Sequence, residues 1–99
     1  MNTNKVKKVI KLGATWCAPC RVYAPKFHNV SKYDEFKDLE FKEYDIDDEN
    51  GEKIAIKHNI RSVPTTLLLD ENDDVIYKLM GNVPESDLEK IINEALKDR

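Results

Sequence analysis

The chain has 99 residues, of which 40% are hydrophobic and 35% charged, and its formal net charge is −3. That length holds one hydrophobic core, and the mixture is too apolar for a disordered chain and too charged for a membrane span. A net negative charge disfavours nucleic acid and anionic membranes as partners. The two cysteines are too few for a disulfide-stapled mini-protein or a four-cysteine zinc site, and suit a single redox pair.

In chain order, Val6 to Leu12 is rich in Val and Ile and stops at Gly13, which predicts a strand. Lys5, Lys7 and Lys8 are read as its solvated start. The polar opening Met1–Asn4 and the lysine-broken apolar run after it lack the form of a signal peptide, so the expected compartment is the cytoplasm. From Cys17 to about Tyr33 the period becomes helical, with Tyr23, Phe27 and Val30 on one face. Pro25 falls inside and should kink this helix by removing a backbone hydrogen bond. Leu39 to Ile46 is a second strand. Asp45, Asp47, Asp48 and Glu49 then precede a short helix that ends near His58-Asn59, acids being favoured at the positive end of the helix dipole. This acidic stretch lacks the glycine and glutamate of a calcium loop.

Thr66 to Leu69 predicts a strand buried on both faces. Asp70 to Asp74 is a polar turn, and Val75 to Met80 returns antiparallel. Leu88, Ile91, Ile92, Ala95 and Leu96 form the stripe of an amphipathic helix. Its start has two candidates: Pro84 as the first helical residue, or Ser86 with Glu89 as a capping box. The order β-α-β-α-β-β-α predicts an α/β domain spanning residues 1–99. A right-handed parallel crossover would open it, an antiparallel edge would close a four-stranded mixed sheet, and helices would cover both faces.

Trp16-Cys17-Ala18-Pro19-Cys20 lies where the first strand meets the first helix. Two thiols at i and i+3 on a helix N-terminus close into a small ring with little backbone movement. The helix dipole and free N–H groups there lower the pKa of Cys17, making it the attacking thiolate. Cys20, one turn in and expected to be more buried, resolves the mixed disulfide. Pro19 fixes the intervening dipeptide. Metal binding is the competing reading, but zinc wants four ligands and only His28 and His58 remain. Both histidines are expected on exposed helix positions without a role.

At this point the sequence resembles the thioredoxin family, from about Val6 to Lys97. Trp16 precedes the first cysteine as in that family, Ala24-Pro25 matches its helix proline, and Ser62-Val63-Pro64-Thr65 looks like its cis-proline loop. Gly81 matches a glycine of its substrate groove. The resemblance implies a minimal thioredoxin fold, without the extra N-terminal strand and helix of longer members. It also implies a protein-disulfide reductase serving electron transport and cell redox homeostasis. Trp16, Val63, Pro64 and Gly81 would form an apolar docking surface on which an extended substrate pairs with the Val63 backbone. No bound cofactor is implied. Electrons would come from NADPH through a thioredoxin reductase, and the partners would be disulfide-containing proteins meeting a monomer, with no nucleic acid or membrane.

Two departures stand out. Ala18 replaces the glycine usual between the cysteines. Lys11 stands where the family carries a buried aspartate, and Glu43 stands at the position of its partner lysine. A charge-reversed pair is expected, with Glu43 taking over the role of accepting the proton of Cys20. The plainer alternative leaves Lys11 as a strand-end lysine reaching water and Glu43 as an exposed strand carboxylate. Two other functions fit the same scaffold: a glutathione-dependent glutaredoxin-like reductase, though Gly81 is followed by Asn82 where that family has a second glycine, and a non-catalytic docking subunit.

Overall fold

The computed structural model describes residues 5–97. Strand β1 (Lys8–Gly13) leads into helix α1 (Ala18–Ser31), a 3-10 turn (Asp34–Phe36) and strand β2 (Glu40–Asp45). Helix α2 (Glu49–Lys57), strands β3 (Thr65–Leu69) and β4 (Val75–Met80) and helix α3 (Glu85–Leu96) follow. The sheet order is β2-β1-β3-β4, with β1 parallel to β2 and the other two pairings antiparallel. The expected mixed sheet is therefore present.

Side-chain alternation along β1 divides the interior in two. Val9 joins Tyr23, Phe27 and Val30 of α1 and Leu88 and Ile92 of α3 on one face. Ile10 and Leu12 join Leu67 and Leu69 on the other, beneath Ile54 and Ala55 of α2. All five residues of β3 are buried, as a central strand covered on both faces requires. Across the first face the Tyr23 hydroxyl and Thr66 Oγ1 are 2.7 Å apart. Burial is the larger influence on the Tyr23 phenol and pushes its pKa up, against the opposing effect of Thr66.

Several boundaries differ from expectation. Regular pairing of β1 starts at Lys8, although the Lys7 backbone still bonds to Leu69 and Glu40. Helix α1 continues through Pro25 and ends at Ser31, and the 3-10 turn then carries the buried Phe36 into the first core. Neither candidate start of α3 is correct. Pro84 is the cap, one residue outside the helix, and its carbonyl accepts from the N–H groups of Asp87 and Leu88. Ser86 is thus already inside the first turn, where it cannot cap. Glu89 lies beside Glu35, whose carboxylate raises its pKa, with desolvation adding to the rise.

Gly51 fixes the docking of α2. A Cβ there would lie 1.9 Å from the Asp45 carbonyl oxygen, so only glycine lets this helix touch the end of β2. Gly51→Ala should cost roughly 3 kcal/mol or more in a denaturant titration. A loss below about 0.5 kcal/mol, within the usual range for surface changes, would mean that α2 is free to shift.

Candidate active site

The β1–α1 junction brings the two cysteines together. β1 ends at Gly13, a turn follows through Ala14 to Trp16, and Cys17 caps α1. Pro19 lies in the first turn, where its missing N–H removes a donor that has no helical partner. Cys17 and Cys20 are joined as a disulfide, with their Cα atoms 5.2 Å apart. The Cys20 N–H donates to Cys17 Sγ at 3.2 Å. Both cysteines are buried, with exposures of 5% for Cys17 and 4% for Cys20, so the expected difference between them is slight in the disulfide.

Beside this pair, Cys17 Sγ lies 3.6 Å from the Val63 carbonyl oxygen. The Val63–Pro64 peptide is cis, and the Gly81 N–H donates to the Pro64 carbonyl at 2.8 Å. Gly81 has φ +93°, a conformation in which a side chain would be strained. Trp16 is 64% exposed, so it is not a core residue. Its indole N–H donates to Asp47 Oδ2 at 2.8 Å, holding the ring against the start of α2. Between Trp16 and Val63 runs a groove of about 290 Å³, floored by Ile46, Ala55 and Ile60. The structure thus gathers Trp16, Cys17, Val63, Pro64 and Gly81 on one side of the disulfide.

The other side is charged. Lys11, on the α1 face of β1, is 7% exposed, and its Nζ lies 3.2 Å from Glu43 Oε1 on β2. Lys11 is therefore paired and does not reach freely to water. The second oxygen of Glu43, Oε2, meets His28 Nε2. A cleft of about 360 Å³ separates this group from the disulfide and is lined by Lys11, Gly13, Cys20, Ala24 and Glu43. A Cβ on Gly13 would sit 3.4 Å from Cys20 Sγ and 3.6 Å from Lys11 Nζ, so the missing side chain keeps the space between them open.

Two participants escape a sequence reading. Asp47 is legible only as a helix-start acid, because its tie to Trp16 depends on how α2 returns to the active-site loop. His28 is paired with Glu43, while His58 caps the end of α2. Burial, then Lys57, lowers the His58 pKa. Among the described residues no group of three or more His, Cys, Asp or Glu side chains is placed to hold a metal ion. None of the helices there is long and apolar enough to cross a membrane.

The Thioredoxin family model matches residues 1–94. The chain belongs to the thioredoxin family. It is 32% identical to a thioredoxin of Mycoplasmoides gallisepticum, over 93% of this chain and 86% of that one. A crystal structure of Malassezia sympodialis thioredoxin superposes with a TM-score of 0.79 at 31% identity, covering 95% of this chain and 77% of the other. Fasciola hepatica thioredoxin gives 0.78 at 29% identity, covering 93% and 84%. This thioredoxin-fold protein is a thiol–disulfide oxidoreductase, and Cys17–Cys20 is its redox-active disulfide. Family membership favours this over the glutaredoxin-like alternative.

The charge pair has a direct check. In a double-mutant cycle of Lys11→Met and Glu43→Gln, the stability changes should be non-additive by about 1 kcal/mol, the scale for a pair with one half-exposed partner. Simple additivity would show that the two charges are not coupled.

Proposed function

We propose that this protein reduces disulfides in other proteins, with Cys17 as nucleophile and Cys20 as resolving thiol. The observation that carries this reading is the position of Cys17 Sγ, held at a helix N-terminus by the Cys20 N–H and beside the Val63 carbonyl. In the reduced protein the same N–H and the helix dipole favour a Cys17 thiolate. That thiolate attacks one substrate sulfur, forms a mixed disulfide and expels the other as a thiolate. Cys20 then loses its proton and attacks Cys17 Sγ. The second substrate thiolate leaves, and two electrons have passed from the dithiol to the substrate.

The exposed Trp16 ring, Val63, Pro64 and Gly81 supply the docking face in this proposal. An extended substrate segment would lie against Val63 and bond to its backbone, while the groove beside Trp16 takes apolar side chains. Such contacts read little sequence, so a broad range of protein disulfides is expected. Pro19 holds the first turn that carries both sulfurs.

On the charged side, Lys11 and Glu43 serve the resolving step. A carboxylate is a competent acceptor for the Cys20 proton, and the paired ammonium holds it at the cleft. Space left by Gly13 gives that proton a route between Cys20 and Lys11. The oxidised protein would be returned to the dithiol by a thioredoxin reductase drawing on NADPH. A monomer working in the cytoplasm fits this role.

Trapping tests the order of attack. Cys20→Ser should accumulate a mixed disulfide between Cys17 and a substrate protein, visible on a non-reducing gel and released by dithiothreitol. Cys17→Ser should trap nothing and reduce nothing. Equal trapping by Cys17→Ser through Cys20 would reverse the assignment, and turnover by either single variant would overturn the two-cysteine cycle.

A further inference from the structure

Docking and disulfide exchange leave His28 without a part, yet its position is specific. Cys20, Ala24 and His28 follow one another at i, i+4 and i+8, which puts them on one face of α1. Ala24 is small, and the cleft stays open along that face. Glu43 stands opposite on β2 and bridges two partners, with Oε1 on Lys11 Nζ at 3.2 Å and Oε2 on His28 Nε2. Side-chain exposure rises along this row, from 8% for Lys11 to 40% for Glu43 and 48% for His28. The buried end adjoins the resolving cysteine and the other end is in water.

We infer that His28 is a positioning residue for the resolving step, carrying the proton of Cys20 from Glu43 to solvent. This rests on the proposed role of Lys11 and Glu43. The Cys20 proton passes across the cleft to Glu43. The protonated carboxyl gives it to His28 Nε2, which accepts when the ring is neutral with its own proton on Nδ1. The resulting imidazolium loses a proton to water. Meanwhile the Cys20 sulfur forms its bond to Cys17 and the substrate sulfur leaves, so charge and atoms balance. The charges around the imidazole are Glu43 from β2 and, behind that carboxylate, Lys11 from β1; Lys32, four positions on, is the C-cap of α1. Imidazole is the side chain that accepts and releases protons between about pH 5 and 8. A bare ion pair at this exposed position would add little stability.

The test follows Trp16 fluorescence after mixing pre-reduced protein with excess oxidised glutathione, so that closure of Cys20 onto Cys17 limits the signal. The wild type should show an inflection in closure rate across the imidazole range. His28→Gln keeps an amide donor for Glu43 but carries no proton. It should lose the inflection, close about tenfold more slowly near neutral pH, and recover in imidazole buffer, as for a missing general acid–base step. If His28→Gln keeps the wild-type rate and pH profile while Glu43→Gln is slow, His28 has no part in the transfer and only this extension falls. If His28→Gln is normal and His28→Leu slow, the histidine merely holds Glu43, and proton carriage is overturned. If Glu43→Gln itself closes at the wild-type rate, the role of the Lys11–Glu43 pair fails and this inference fails with it.

Discussion

A buried ammonium shapes the redox centre. Lys11 sits in an interior strand of the sheet, 7% exposed, on the face that carries α1. An unpaired charge there is costly, so a carboxylate must meet it. The parallel register of β1 and β2 sets Glu43 directly beside Lys11, and alternation turns both side chains to the same face. That face also receives Cys20. The crossover therefore settles, in one step, which charge lies behind the resolving thiol and which helix covers it.

The remainder of the site hangs on how segments end. β1 stops at Gly13, α1 begins after Cys17, and the loop before β3 brings Val63 to within 3.6 Å of the Cys17 sulfur. Gly51 allows α2 to close on Asp45, and the segment between them carries Asp47 to the Trp16 indole. The apolar groove beside Trp16 and the charged cleft beside Lys11 thus lie on opposite sides of a single disulfide. In the proposed cycle the substrate backbone would lie on the apolar face and the Cys20 proton would leave by the charged one, so the two halves of the exchange would not compete for space.

Much of this was legible in the residues. Apolar pattern gave the strands and the first and last helices, β3 as a continuous run buried on both faces, while α2 was read from its acidic start. Cys17, Pro19 and Cys20 are local signals, Trp16 and Pro64 were read through resemblance, and the structure brings the five together. Lys11 with Glu43 was legible only through resemblance, since 31 residues of chain lie between them and nothing local marks a pair. What stayed hidden depended on tertiary return. The 3-10 turn at Asp34–Phe36 is three residues long and too short for a period. The cap at Pro84 turned on a one-residue choice that propensity does not make. Asp47 and His28 look like ordinary surface polar residues until α2 and β2 are placed.

The account stands on the dithiol of Cys17 and Cys20 being a general reductant, with the charge of Lys11 balanced by Glu43. The most direct measurement is the reduction potential of the pair, followed through Trp16, the only tryptophan, in a glutathione or dithiothreitol redox buffer. The account predicts a value near −270 mV, about that of thioredoxin among reference dithiols. A value at or above about −180 mV, the range of protein disulfide isomerase, would contradict it and make the protein an oxidant or isomerase.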